Sequence, residues 1–239
     1  MSRLSPRAIT FDAAGTLIDV RYEPVAFMLD LLGDQQIEVN EASLRAEYGP
    51  MRAARQEEYA RAVQSRGAQG RQAFWRKFTF DLLSSIGVTL RDGQLARMSE
   101  RSDELLFCHG SPYWRLYPDV RETLSALRRK GARLAVVSNW DDTLHLVLEL
   151  LGIAEPFEFA LASLEVGWEK PDPRIFGRAV GRLGYEPFEV VHVGDNPVDD
   201  GEGAARAGLF PIIVDRDEAY GRLPFPKVRS LRELALLYE

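Results

Sequence analysis

The feature that most narrows the fold is a repeated unit: a short apolar run, then a helix-length segment that stops at glycine. The runs are AITFD (8–12), RLAVVSN (133–139), FEFALAS (157–163), EVVHVGD (189–195) and LFPIIVD (209–215). Within 134–137, and within 190–193 apart from His192, they are continuous rather than alternating, as strands covered on both faces require. Between them, segments 119–130, 141–151, 172–183 and 199–207 end at Gly131, Gly152, Gly184 and Gly208, and glycine just past a helical pattern is a common C-terminal stop. Strand and helix in alternation with short connections predict an α/β fold with a doubly wound parallel sheet.

The stretch from 19 to 113 breaks this rhythm and reads as helices over 23–32, 40–66 with a break at Gly49-Pro50, 71–86 and 93–107. In RQAFWRKFTFDLLSSI, Phe74, Phe78, Leu82 and Ile86 recur at helical spacing with Trp75 and Leu83 beside them, a stripe that reads as core rather than as a cofactor site, with Lys77 embedded in it. We therefore expect a core domain of residues 1–18 and 114–239, interrupted after its first strand by an all-helical domain of residues 19–113.

Composition excludes several classes. A chain of 239 residues, 46% hydrophobic and 28% charged, is long enough for a sizeable core and ordinary in its balance. No apolar run approaches the roughly 20 residues of a membrane span, and MSRLSPRA lacks the apolar stretch of a signal peptide, so a cytoplasmic location without a membrane partner is expected. The net charge of −6, with basic residues interspersed among acids, gives no footprint for nucleic acid. The lone Cys108 excludes an internal disulfide framework and reads as a half-buried thiol.

In open α/β sheets, chemistry collects at the carboxyl ends of the strands. Those ends carry Asp12 and Thr16, then Ser138 and Asn139, then Asp195 with Asp199 and Asp200 close behind. Lys170 stands in GWEKPDPRIF, ahead of a helix with Pro173 in its first turn. Singly, each has a plain structural role: Ser138, Asp141 and Asp199 can cap helices, and Lys170 can be a surface cation. Together, a nucleophile-type carboxylate, two hydroxyls, a lysine and an acidic cluster suit a dianion plus a divalent cation.

This set, in this order, resembles the haloacid dehalogenase-like hydrolase superfamily of the helical-cap type. FDAAGTL resembles its first motif, VVSN its second, Lys170 before PDP its third and VGDNPVDD its fourth, and the helical insertion sits where the family places a cap. The resemblance implies that Asp12 is a nucleophile forming an aspartyl-phosphate that water hydrolyses. It implies that Thr16 and Ser138 bond the phosphoryl oxygens, that Gly15 and Asn139 help bind substrate, and that Lys170 neutralises charge and restrains Asp12. It assigns Mg²⁺ to Asp12, the carbonyl of Ala14, Asp195, and Asp199 or Asp200. Clustered carboxylates repel unless a cation sits among them, and Mg²⁺ prefers an all-oxygen set. A small phosphorylated substrate and a monomer or homodimer are the partners expected.

One position departs. Family phosphatases usually carry a second aspartate two residues after the nucleophile, where it protonates the leaving group and deprotonates water; here it is Ala14. The loss predicts slow turnover, since general acid–base catalysis contributes typically about 10²–10⁴-fold. The favoured reading is a magnesium-dependent phosphatase without this acid. A phosphonatase shares Ala-Gly-Thr here but needs an imine-forming cap lysine, and Met51-Arg52 offers no amine. A 2-haloacid dehalogenase needs no metal and lacks the aspartate found here as Asp195. A retired binding or regulatory module is the reading from another class, disfavoured because Asp12, Thr16, Ser138, Lys170 and Asp195 are all retained. His109, near the expected hinge, is the nearest stand-in acid, with a plain loop residue as its simpler reading. His192 reads as a satisfied core residue and His145 as a helix residue.

Overall fold

The computed structural model describes residues 6–237. In chain order the elements are β1 (Ala8–Phe11), β2 (Ile18–Val20), α1 (Pro24–Asp34), α2 (Glu41–Ala54), α3 (Gln56–Ser85), α4 (Gln94–Leu106), β3 (Trp114–Leu116), α5 (Val120–Arg129) and β4 (Arg133–Ser138). There follow α6 (Leu144–Leu150), β5 (Phe159–Ala162), α7 (Ser163–Val166), α8 (Pro173–Leu183), β6 (Val190–Gly194), α9 (Gly203–Arg206), β7 (Phe210–Val214), β8 (Lys227–Val228) and α10 (Leu231–Leu237). Six strands form one parallel sheet in the order β5-β4-β1-β6-β7-β8. The chain winds outward from β1 to β5, then crosses back past β1 to β6. That reversal makes the carboxyl end of β1 the switch point where such sheets open a crevice.

Register brings the strand ends level. Phe11 lies opposite both Val136 and Val193, so the residues just beyond share one edge. Every residue of β1 is buried, so Ala8, Ile9 and Phe11 are apolar and the one polar member, Thr10, needs a hydrogen-bond partner. On one face Ala8, Ala135, Val137 and Leu161 pack against Ile175, Phe176, Ala179 and Leu183 of α8. Local signals place that helix: the Asp172 side chain caps it by accepting from the Arg174 N–H, Pro173 opens it, and Gly184 closes it in the left-handed region at φ +73°.

The chain divides into two compact units, one of the described residues up to Val20 and from Trp114 onward, the other Arg21–Tyr113. The division falls two residues later than expected after residue 18, because Ile18–Val20 pair antiparallel with Trp114–Leu116 in a ribbon that the sequence reading overlooked. In the helical unit Phe74, Phe78, Leu82 and Leu83 of α3 are buried, and Tyr48 of α2 meets the Phe78 ring edge-on at 5.4 Å. Four expectations change here. Helix α2 continues through Pro50 to Ala54, with Arg55 as its C-cap. A proline inside a helix costs about 3 kcal/mol, but Tyr48 on one side and Arg52 on the other, its guanidinium over the Tyr59, Phe74 and Trp75 rings, hold the helix to α3. The gap expected between 66 and 71 is a kink at Gly67, with φ 52° and ψ −134°. Lys77 lies off the aromatic stripe, exposed and paired with Asp81 one turn on. Cys108 is exposed rather than half-buried. Among the described residues no helix is long and apolar enough to cross a membrane.

Candidate active site

The first wall is the turn after β1. The Asp12 N–H donates to the Val193 carbonyl at 2.8 Å, which carries the strand one residue past its regular end and leaves a buried side chain at the crevice. The Ala13 carbonyl then accepts from Leu17 and Ile18, closing a tight loop. Gly15 is needed in that loop on two counts. Its φ is +73°, and a Cβ there would lie 2.4 Å from Asp195 Oδ2. The glycine is what lets Asp195 approach the turn. Thr16 is fully buried, with its hydroxyl 3.4 Å from Asp195 Oδ1, while its carbonyl accepts from Arg216 at 2.8 Å. Ala14, half-buried in the same turn, presents only a methyl group.

The second wall is the end of β4 and the Lys170 segment. Ser138 is buried, and its side chain acts to lower the pKa of Asp12. Asn139, expected to help bind substrate, directs its side-chain hydrogen bonds into the protein. Its Oδ1 accepts from the Lys170 N–H at 2.7 Å and its Nδ2 donates to the Lys170 carbonyl at 2.9 Å, so the amide is committed to the lysine's backbone. The lysine's buried ammonium donates at 2.6 Å to Asp12 Oδ1 and at 2.6 Å to Asp200 Oδ1.

The third wall follows β6. Asn196 caps a π-helical turn, Pro197–Glu202, its side chain accepting from the N–H groups of Val198 and Asp199. The turn folds Asp200 back so that its Oδ2 accepts from the Asn196 N–H at 2.9 Å. A Cβ on Gly194 would lie 2.0 Å from Asp200 Cγ, so here too glycine admits a carboxylate. Of the expected ligand set, Asp12, Asp195 and Asp200 converge, with one oxygen from each within 4.8 Å of the others. Asp199 does not join them. It is half-buried and its carboxylate faces the Asn196 amide, because the π turn directs consecutive residues apart.

Sequence reasoning also missed His192 as part of this edge. Its ring is fully buried, with Nε2 3.0 Å from Asp200 Oδ1 and Nδ1 2.9 Å from the Thr10 hydroxyl. The available signal was a polar side chain inside an apolar strand, which burial makes costly unless it is bonded.

Charge in the cluster is unevenly matched. Burial works against the Lys170 ammonium, but the Asp12 and Asp200 charges outweigh it and raise its pKa. Burial also acts upward on Asp200, where the Lys170 charge and the His192 hydrogen bond prevail and hold the carboxyl below its usual range. Burial raises Asp12, with Lys170 pulling the other way. Asp195 is pushed up to about 7 by burial and by the charges of Asp12 and Asp200. Among the described residues no lysine or arginine forms an ion pair with Asp195. Three converging carboxylates share one ammonium, and an additional cation suits such a set. Asp200 can offer it only Oδ2, since Lys170 and His192 occupy both lone-pair directions of Oδ1.

Residues 6–208 match the family model described as haloacid dehalogenase-like hydrolase. Haloacid dehalogenase-like hydrolase domain-containing protein 3 of Homo sapiens is 31% identical over 238 residues, covering 98% of this chain and 93% of its own. A phosphoserine phosphatase of Thermus thermophilus is 40% identical over 125 residues, 51% of this chain and 50% of that one. A 2-haloacid dehalogenase structure from Pseudomonas syringae pv. Tomato aligns with a TM-score of 0.69 at 26% identity, covering 99% of this chain and 98% of that one.

Proposed function

The chain belongs to the haloacid dehalogenase-like hydrolases, and from that premise we propose that it is a magnesium-dependent phosphatase of a small phosphorylated molecule. The observation that carries the reading is Asp195: a carboxylate beside Asp12 and Asp200 that no ammonium or guanidinium among the described residues pairs with. Similarity to a phosphoserine phosphatase over half the chain supports phosphate-ester chemistry.

In this reading Lys170 engages Asp12 Oδ1, so the nucleophile is Oδ2. That oxygen attacks phosphorus in line, the bond from phosphorus to the ester oxygen breaks, and the leaving alkoxide takes a proton from solvent, since Ala14 has none to give. Water then attacks the phosphorus of the aspartyl-phosphate, the Asp12–phosphorus bond breaks, and inorganic phosphate departs with Asp12 restored. Thr16 and Ser138, both buried hydroxyls at the edge, donate to the phosphoryl oxygens, and Lys170 offsets their charge. Side-chain oxygens of Asp12 and Asp195 and Oδ2 of Asp200 would hold Mg²⁺, with the Ala14 carbonyl assigned by family resemblance, and the ion would supply positive charge that offsets the charge of the phosphoryl group.

A second reading has its own support. The whole-chain likeness to a 2-haloacid dehalogenase, together with Ala14, suits attack by Asp12 on the halogen-bearing carbon, releasing halide and leaving an ester that water cleaves. A panel of phosphate esters and 2-haloacids, assayed with Mg²⁺ and with chelator, separates the two. Phosphate release that needs Mg²⁺ is expected; halide release indifferent to chelator overturns the phosphatase reading.

A further inference from the structure

We infer that His192 is a positioning residue for the nucleophile, acting through Asp200 and Lys170. The inference rests on the reading of Asp12 as nucleophile. Thr10 and His192 are register partners on β1 and β6, which sets the Thr10 hydroxyl against Nδ1 at 2.9 Å. Nε2 faces the Asp200 carboxylate at 3.0 Å, so this nitrogen carries the proton and Nδ1 accepts the one from Thr10. The Phe176 ring of α8 meets the imidazole edge-on with centroids 4.9 Å apart, and the residue has no exposed surface. The imidazole has one orientation open to it.

That orientation ends on the nucleophile. Asp200 Oδ1 accepts from His192 and from Lys170, and Oδ2 accepts from the Asn196 N–H. Two fixed donors, one on each oxygen, define the plane of the carboxylate. Lys170, its backbone held at both N–H and carbonyl by Asn139, spans from that plane to Asp12 Oδ1 at 2.6 Å. Without His192, Asp200 keeps its charge but loses the donor that turns Oδ1 toward the lysine. Lys170 then settles among Asp12 and Asp200 in more than one way, and the oxygen it leaves for attack is no longer specified. A histidine that merely filled the core would end its contacts on other core groups; this one ends on the acid that aims the lysine.

The test compares His192→Leu, which removes the donor, with His192→Gln, whose amide can replace it. Two readouts are taken: the NMR signal of the Lys170 side-chain ammonium in the metal-free protein, and kcat and KM for p-nitrophenyl phosphate with Mg²⁺. A hydrogen-bond-protected ammonium signal is expected in wild type and in His192→Gln, and its loss in His192→Leu. In the leucine variant kcat should fall by about 10–100-fold, the range for partners that orient site ligands, with KM little changed; the glutamine variant should keep most of kcat. A folded His192→Leu protein with the signal and kcat intact overturns the inference, as does an equal fall in both variants. Should the leucine variant fail to fold, Thr10→Val decides: weakening of the ammonium signal supports the inference and an unchanged signal overturns it. If wild type hydrolyses no phosphate ester, the nucleophile reading fails, while the ammonium signal still reports whether His192 positions Lys170.

Discussion

The sheet edge around Asp12 and the aromatic stripe of α3 are both buried, yet they are held by different kinds of force. At the edge the contacts are directional: Asp12, Lys170, Asp200, His192 and Thr10 join through hydrogen bonds of 2.6 to 3.0 Å. Along α3 they are not: Phe74, Phe78 and Trp75 meet ring against ring at centroid distances from 5.4 to 5.9 Å, and volume rather than angle is what packing asks of them. The ion pairs differ in the same way. The Lys170 side chain is 2% exposed between two acids, whereas Lys77, on the outer face of α3, is 60% exposed beside one. A site built from fixed directions should respond sharply to single atoms. A packed stripe with solvated charges outside it should not.

The largest test of that contrast is Ala14→Asp. A carboxyl on the nucleophile turn restores a proton donor and acceptor, and turnover of alkyl phosphates should rise by up to about 10²–10⁴-fold. Hydrolysis of p-nitrophenyl phosphate, whose phenolate leaves without a proton, should change little. Equal rates on both substrates, with the fold intact, would remove the missing-relay account of Ala14.

Next is the pair of lysines. Lys170→Met leaves Asp12 and Asp200 facing each other without their shared cation, and removing one partner of a buried pair costs about 3–5 kcal/mol. Lys77→Met breaks only an exposed pair and should cost within about 1 kcal/mol. Urea unfolding of the two variants measures both, and similar losses would erase the distinction.

Magnesium should act on the edge alone. Binding to the native state should add about 2.7 kcal/mol at a hundredfold excess over the dissociation constant. Asp195→Asn should reduce that gain, read as the shift in melting temperature between Mg²⁺ and chelator. A full shift in the variant would take Asp195 out of the ion's site.

The smallest effect concerns acid. In Asp119 burial acts upward, but hydrogen bonds from Arg216, Ser230 and the Leu231 N–H hold the carboxyl low. In Asp81 the Lys77 hydrogen bond is the main cause of a lowered value, with Arg55 assisting. Both contribute stability that is present above the ordinary aspartate pKa of about 4 and lost as pH falls through the lower folded value. Melting curves between about pH 4 and pH 2 should therefore flatten in Asp119→Asn and less in Asp81→Asn, since the latter carboxyl is the more exposed. A larger flattening in Asp81→Asn would reverse the ranking of the two regions.

The parallel sheet was legible in the chain because its signals are local. Continuous apolar runs, the Asp172-Pro173 opening of α8 and glycines at helix ends each work within a few residues. Thr16, Ser138, Lys170 and Asp195 could be picked out as a set because α/β strands deliver their ends to one edge whatever lies between. The helical unit was less legible at its joints, where a proline that locally predicts a break is overruled by Tyr48 and Arg52 packing on α3.

What the residues alone determined was which chemical groups reach the edge. Their division of labour came from contacts between residues far apart in sequence. Asp199 and Asp200 are adjacent and identical in kind, and only the π turn turns one toward Lys170 and the other toward Asn196. Asn139 shares a strand end with Ser138, yet its amide is taken by a backbone 31 residues on. His192 looked like any core residue until the register of β1 and β6 set Thr10 on one nitrogen and the folded-back turn set Asp200 on the other. Hydrogen bonds depend on direction at a scale of tenths of an ångström, which no local propensity encodes. That scale is reached only when the strands are side by side.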